Sequence, residues 1–129
     1  MRKLIARAAF GAAMLGANGP ALAQDTWPAK PIRIVVPYPP GGNVDGAARI
    51  IAQDLQKSLG QPIVVENKAG AGGLIAGEYV AKAEPDGYTL FLAANGPLLF
   101  SPTIFNRPVY HWQKNFVPIS TVSLTPLLI

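Results

Sequence analysis

A turn rich in proline and glycine separates an apolar run from an amphipathic stretch, and this junction constrains the fold most. The β-branched run Ile32–Val36 ends at residues 37–43, which contain three prolines and two glycines. Proline fixes its own φ and pushes the residue before it toward extended conformations, so the strand cannot continue into the helix. Gly41 and Gly42 can adopt positive φ, and Asn43 is a good N-cap residue. The junction predicts a strand, a tight loop and a helix over about residues 44–59.

The same order of strand and special loop recurs twice downstream. Ile63–Glu66 and Tyr88–Ala93 are further apolar runs, followed by loops at residues 67–73 and 94–97, with a helix predicted over about residues 74–83. Continuous β-branched runs separated by helices are typical of parallel strands covered on both faces. We therefore predict an α/β fold with a parallel-type sheet, whose three loops share the edge where open α/β sheets bind ligands.

The pattern weakens after Pro97. Phe116–Val122 is predicted to form another strand, and residues 127–129 are predicted to begin a further one. A domain rarely ends on an unpaired apolar strand, so we expect the chain to be a fragment.

The first 23 residues have the pattern of a secretory signal peptide. A basic start is followed by a short apolar stretch and an A-x-A site, with cleavage expected before Gln24. Three of the eleven basic residues lie there, so the remaining chain carries a net charge of only +1, which does not favour a nucleic-acid partner. The chain contains no cysteine, which excludes the bacterial lipoprotein anchor, since that anchor needs a cysteine just after the signal peptide. We expect a protein that is free in the periplasm.

Motifs for common enzyme and cofactor sites are missing from the sequence. The segment that begins with Gly70 and Gly72 has Ile75 where a dinucleotide-binding fingerprint needs its third glycine. Phosphate-loop and G-x-S-x-G motifs are absent, and His111 is the only histidine. We therefore expect no catalytic residues, metal or cofactor, and a surface position for His111.

The N-terminus of the first helix is a candidate anion site because it presents free N–H groups and a partial positive charge. The alternative is a turn that only connects a strand to a helix. Asp45 can complement the helix dipole or accept a hydrogen bond from a ligand. Tyr38 can form a wall of the site or pack on the prolines. Asn95 can donate to a ligand oxygen or occupy a left-handed turn before Gly96.

Four segments together resemble one family of receptors. They are Pro28–Asp45, Leu59–Asn67, Gly70–Gly73 and Pro85–Leu90, and they occur in the order and spacing of the family. The chain from about Trp27 onward is similar to the tripartite tricarboxylate transporter substrate-binding proteins, also called the Bug family of periplasmic receptors.

The resemblance implies a type II periplasmic-binding-protein fold, with residues 24–129 forming an incomplete first lobe of two. It implies a non-enzymatic receptor for a di- or tricarboxylate, an amino acid or an aromatic acid, which serves membrane transporter subunits and is a monomer at full length. The ligand carboxylate is expected to contact backbone amides and ordered water of the loops. Together with the residue patterns, the resemblance gives these candidate ligand-binding residues: Tyr38, Gly41, Gly42, Asn43, Val44, Asp45, Ala71, Gly72 and Asn95.

The chain also departs from the family pattern. Asn43 stands where many members have Ser or Thr, and His111-Trp112 stands where members more often have Asp-Pro. Family members are longer. Two other interpretations remain open from the sequence: an α/β enzyme that acts on carboxylates with the same loops, and a non-functional truncated remnant of such a receptor.

Overall fold

A three-stranded parallel sheet forms the centre of the computed structural model, which describes residues 26–124. The elements are β1 (Ile32–Val36), α1 (Asn43–Leu59), β2 (Ile63–Asn67), α2 (Leu74–Ala81), β3 (Thr89–Phe91), α3 (Ser101–Ile104) and α4 (Trp112–Asn115). A 3₁₀ turn, Ala71–Gly73, precedes α2, and a π-helical turn, Gly96–Phe100, precedes α3. The signal peptide predicted over residues 1–23 and the apolar segment at residues 127–129 lie outside the described residues.

The sheet has the order β2-β1-β3, and β1 pairs in parallel with both neighbours. Val36 at the end of β1 is in register with Asn67 at the end of β2, and Val35 is in register with Phe91 at the end of β3. The prediction of a parallel sheet is therefore confirmed. Because all three strands run the same way, the loops that follow them lie at one edge of the sheet.

Helices cover both faces of β1 at residues 34–36, which are β-branched without a break, whereas Arg33 near the start of the strand is exposed. Ile34 and Val36 pack against Ala48 and Ala52 of α1, while Val35, which points the other way, is also fully buried. The helix α2 contacts β1 and β3. The edge strand β2 is less covered, and Val64 remains half-exposed. At roughly 25 cal/mol per Å² of apolar surface, burial around the central strand is the main stabilising term.

The ends of α1 and the turn before β3 follow the local chemistry of the sequence. Gly60 ends α1 at φ 67°, and its N–H donates to the carbonyl of Gln56 at 3.0 Å. Asp86 accepts a hydrogen bond from the Tyr88 amide at 3.0 Å, and Gly87 has φ 81°. Both predictions are confirmed.

Three predictions for the later part of the chain need correction. The helix α2 ends at Ala81, and β3 is limited to three residues. Phe116–Val122 is not a strand and has no ladder partner within residues 26–124. The ring of Phe116 instead stacks on the ring of Phe91, with 5.6 Å between the ring centroids. Pro118 also lacks the N–H group that a strand needs to pair with a neighbour.

No helix in the described part of the chain is both long and apolar enough to span a bilayer.

Candidate functional site

The loops after the three strands meet at one buried point. Gly73 of the second loop faces Pro37 of the first loop and Pro97 of the third, and both prolines are fully buried. A Cβ at Gly73 would lie 3.0 Å from Cβ of Pro37 and would overlap the ring of Pro97. Since only a residue without a side chain fits between the prolines, this contact brings the three loops together.

The first loop turns at Gly41, which has φ 87°. The prediction of positive φ is confirmed there but is wrong for Gly42, which has an extended conformation with φ −79° and ψ 169°. Gly42 is also the N-cap of α1, whereas Asn43 is the first helical residue and is exposed. The predicted N-cap at Asn43 is therefore wrong by one residue, because the helix begins as soon as the prolines permit it.

The first turn of α1 leaves several backbone amides without an acceptor in the described part of the chain. The Gly41 amide donates to Oδ2 of Asp45 at 2.9 Å, and the Gly46 amide donates to the Gly42 carbonyl at 2.9 Å. For the amides of residues 42–45, no acceptor is found among residues 26–124. The first turn of a helix leaves such donors free, and they can hold an anion. Gly41 supports this turn, and Gly42, Asn43, Val44 and Asp45 present the donors.

The Asp45 side chain is buried and saturated with hydrogen bonds. Its residue exposure is 3%, and Arg49 donates to both carboxylate oxygens at 3.0 Å. Asn67 at the end of β2 donates through Nδ2 to Oδ1 of Asp45 at 2.9 Å and to the Tyr38 carbonyl at 3.1 Å. Hydrogen bonds from Arg49, then from the Gly41 amide and Asn67, hold the pKa of the Asp45 carboxyl well below its usual range. Asp45 thus fastens the first loop to α1 and β2.

The other two side-chain candidates lie at the margins of the loops. Tyr38 is half-buried, and its ring packs against the apolar cluster around Ile34, Val36, Ala48 and Ala52. Asn95 is exposed and has φ −57° and ψ −34°, a right-handed conformation, so the left-handed alternative for this residue is wrong. Asn95 leads directly into the π-helical turn.

Four successive residues of the second loop have positive φ. They are Gly70 at 132°, Ala71 at 46°, Gly72 at 62° and Gly73 at 91°. Alanine in this region costs roughly 1 kcal/mol, so surrounding contacts must hold the turn. Ser101 of α3, which is itself buried, donates its hydroxyl to the Gly72 carbonyl at 2.7 Å. In the part of the chain that the structure describes, the amides of Ala71 and Gly72 have no acceptor, so this loop also presents donors.

Four residues that shape this region were not predicted from the sequence. Asn67, Arg49 and Ser101 support the loops through hydrogen bonds, and the ring of Phe105 lies against Gly72. The spacing of Asp45 and Arg49, four residues apart on a helix, could have indicated their pairing. Asn67 could have been suspected from its position at the end of β2. No local signal pointed to Ser101 or Phe105, because both act across a distance of about thirty residues in sequence.

A separate groove lies at the opposite edge of the sheet. It has a volume of about 360 Å³ and is lined by Lys30, Pro31, Ile32, Arg33, Val64, Glu84, Asp86, Tyr88 and Thr89. None of the candidate residues contributes to it. Across residues 26–124, no group of three or more histidine, aspartate or glutamate side chains could hold a metal ion. His111 is exposed at the start of α4, as predicted.

The arrangement at the loops suits the capture of an oxygen anion. Two neighbouring loops present amides without acceptors among residues 26–124, and the Asp45 carboxylate beside the first loop is paired with Arg49. Backbone N–H groups at a helix N-terminus are strong donors to carboxylate and phosphate oxygens.

The chain matches the model for the tripartite tricarboxylate transporter family receptors over residues 47–129. It is 43% identical to "Protein BugT" of Bordetella pertussis, over all of this chain and 40% of that protein. It is 40% identical to a "UPF0065 protein in tcbD-tcbE intergenic region" of Pseudomonas sp. strain P51, over 92% of this chain and 35% of that protein. The chain therefore spans well under half of the length of the curated relatives that it matches.

Solved structures are also similar to part of this chain. One described as "Structure of a periplasmic transporter" is 45% identical with a TM-score of 0.63, over 67% of this chain and 29% of that chain. Another, described as "R. palustris Rpa4515 with adipate", is 43% identical with a TM-score of 0.53, over 54% of this chain and 23% of that chain.

Proposed function

This chain belongs to the tripartite tricarboxylate transporter family of receptors, and from that premise we propose that it binds a small carboxylated solute for a transporter of this type. The observation that carries the proposal is the set of free amides at the start of α1, next to a second loop with free amides. Adipate in the structure of a relative supports a carboxylate as the ligand class. The proposal extends to membrane transporter subunits as the partners.

In this proposal, the solute carboxylate accepts hydrogen bonds from the amides of residues 42–45 in the first loop. The amides of Ala71 and Gly72 in the second loop also donate to the solute. Tyr38 and Asn95 border the same edge of the sheet. Ordered water completes the contacts, because a water molecule can bridge the solute carboxylate to a donor that it does not reach directly. The role is one of capture without a chemical step. Turnover of a dicarboxylate by the purified chain would overturn that part of the proposal.

A glycine replacement tests the assignment of the first loop. A Cβ at Gly42 would meet only the Pro39 carbonyl oxygen at 3.8 Å, and φ there is extended, so Gly42→Val leaves the fold intact. The valine side chain adds bulk at the N-terminus of α1, where the solute is proposed to bind. We expect the affinity for adipate, or for whichever acid in a carboxylate series binds best, to fall by roughly tenfold or more, about 1.4 kcal/mol.

Calorimetric titration and a thermal melt should be recorded together. Gly46→Ala is the matched control, because Gly46 lies one turn further along α1 and an added Cβ there would have no atom within 4 Å. Unchanged affinity in a folded Gly42→Val variant would show that the first loop is only structural. A wild-type chain that binds no acid of the series would contradict the proposed function itself.

We propose a periplasmic location, supported by the description of a similar structure as a periplasmic transporter and by the signal-peptide pattern of residues 1–23. Mass spectrometry of the exported protein should give a chain that starts at Gln24. An intact Met1 in the periplasmic fraction would contradict the cleavage.

A further inference from the structure

A buried carboxylate lies directly beneath the amides that are proposed to hold the solute. The Asp45 side chain is only 4% exposed, and its own amide belongs to the free donors at the start of α1. A negative charge in the first helical turn lowers the positive electrostatic potential at the helix N-terminus. A second negative charge on the solute would be repelled by the first, and the repulsion is strong because a buried charge is weakly screened.

Arg49 removes this conflict by its geometry. Its Nε donates to Oδ2 of Asp45 at 3.0 Å, and its Nη2 donates to Oδ1 at 3.0 Å. This is the two-pronged contact that a planar guanidinium makes with a carboxylate. Asn67 holds both partners, because its Nδ2 donates to Oδ1 of Asp45 at 2.9 Å while its Oδ1 accepts from Nη2 of Arg49 at 3.3 Å.

The Asp45–Arg49 pair differs from the other ion pairs in the described part of the chain. Lys57 and Asp54, which also lie on α1, have side chains that are 75% and 72% exposed. Such exposed pairs contribute little. The acid of the Asp45–Arg49 pair is almost fully buried, so water cannot solvate its charge. The same hydrogen bonds keep the Asp45 carboxyl ionised, since they hold its pKa well below the usual range.

We propose that Arg49 is a positioning residue for solute capture, which neutralises Asp45 so that the free amides at the start of α1 accept an anion. This inference rests on the proposed function and adds to it the group that sets the charge of the site. Arg49 acts through Asp45 and not by touching the solute. Removing Arg49 alone should therefore weaken anion binding, and removing the Asp45 charge as well should restore it.

The test compares R49Q, D45N/R49Q and K57Q by calorimetric titration of the purified chain with adipate, at low and at high salt. R49Q should lose roughly tenfold or more in affinity at low salt, and the loss should shrink at high salt because screening weakens repulsion. D45N/R49Q should return to within about threefold of the wild type. K57Q makes the same change in net charge on the exposed face of α1 and should leave the affinity unchanged.

The outcomes separate this inference from the proposed function. If R49Q loses no more affinity than K57Q, or if folded D45N/R49Q stays as weak as R49Q, the inference is wrong. If R49Q fails to give a cooperative melt, the double variant decides: binding near the wild-type level supports the inference, and lost binding in a folded protein overturns it. A wild-type chain that binds adipate and related dicarboxylates not at all overturns the proposed function and the inference with it.

Discussion

At the scale of single residues, the glycines of residues 26–124 include two groups with opposite mutational behaviour. Gly72, Gly73 and Gly77 face side chains so closely that a Cβ would overlap them. Gly46 faces open space inside α1 and has no positive φ. The first group makes room for tertiary contacts, while Gly46 only adds conformational entropy to the unfolded chain.

Gly73→Ala and Gly46→Ala should therefore change stability in opposite directions. At Gly73 a Cβ meets both Pro37 and Pro97 while φ is 91°, so we expect a loss of about 2 kcal/mol or more in the free energy of unfolding. At Gly46 alanine should stabilise the protein by about 0.4–1 kcal/mol. Urea unfolding of the three proteins gives both values. Equal stability of Gly73→Ala and the wild type would show that the loops do not meet as described.

Asp45→Asn should change the dependence of stability on pH. The folded-state pKa of Asp45 lies below its ordinary value, so the carboxylate stabilises the fold at neutral pH and this contribution fades as the pH falls below about 4. The stability difference between wild type and Asp45→Asn should thus be largest near pH 7 and should shrink from about pH 5 to about pH 2. Asp54→Asn on the exposed face of α1 is the control. A difference that stays constant with pH would contradict the ionised cluster.

At the scale of secondary structure, α2 is packed so that a later tyrosine reaches the third loop. Tyr110 lies against Gly77 of α2, and its hydroxyl donates to the Pro97 carbonyl. Burial raises the pKa of Tyr110 above its ordinary value. The helix therefore supports the edge of the sheet that holds the candidate site, although it contributes no residue to it.

Gly77→Ala should push Tyr110 away from Pro97, because a Cβ would lie 2.6 Å from the tyrosine hydroxyl oxygen. We expect a loss of about 1–3 kcal/mol in stability. In a Tyr110→Ala background the alanine has room, so the same change should cost less, with a coupling of roughly 1 kcal/mol or more. A double-mutant cycle by urea unfolding measures this coupling. Additive effects would indicate that the ring and the helix do not share this space.

At the scale of the whole molecule, exposed apolar side chains are concentrated after β3. Val117, Ile119 and Leu124 are 87%, 80% and 89% exposed. Further exposed large side chains precede them: Leu99, Phe100, Ile104, Phe105 and Trp112. An apolar surface of this kind favours association with other apolar surfaces.

The purified chain should therefore self-associate as its concentration rises, and the double change Val117→Lys/Ile119→Lys should reduce that association. Ile50→Lys on α1 is the control, because it adds charge at an exposed apolar residue elsewhere. Sedimentation velocity over a wide concentration range measures the effect. A wild-type chain that stays monomeric throughout would contradict this prediction.

The sequence by itself determined the elements around the central strand. The β-branched runs, the prolines at residues 37–40 and the glycine at residue 60 act on their immediate neighbours, so β1, α1 and the turns follow from local chemistry. The parallel pairing followed from the order of strands and helices. The position of the candidate loops at one edge was predicted for the same reason.

Only the tertiary structure decided what the polar residues near those loops do. Asp45 had two open roles until Asn67, which lies 22 residues away, and Arg49 were seen to occupy its oxygens. The strand predicted at Phe116–Val122 failed because a strand needs a neighbour to pair with, and local β-propensity cannot supply one. Local signals describe which conformations a segment tolerates, whereas long-range contacts select one of them and so decide which donors stay free.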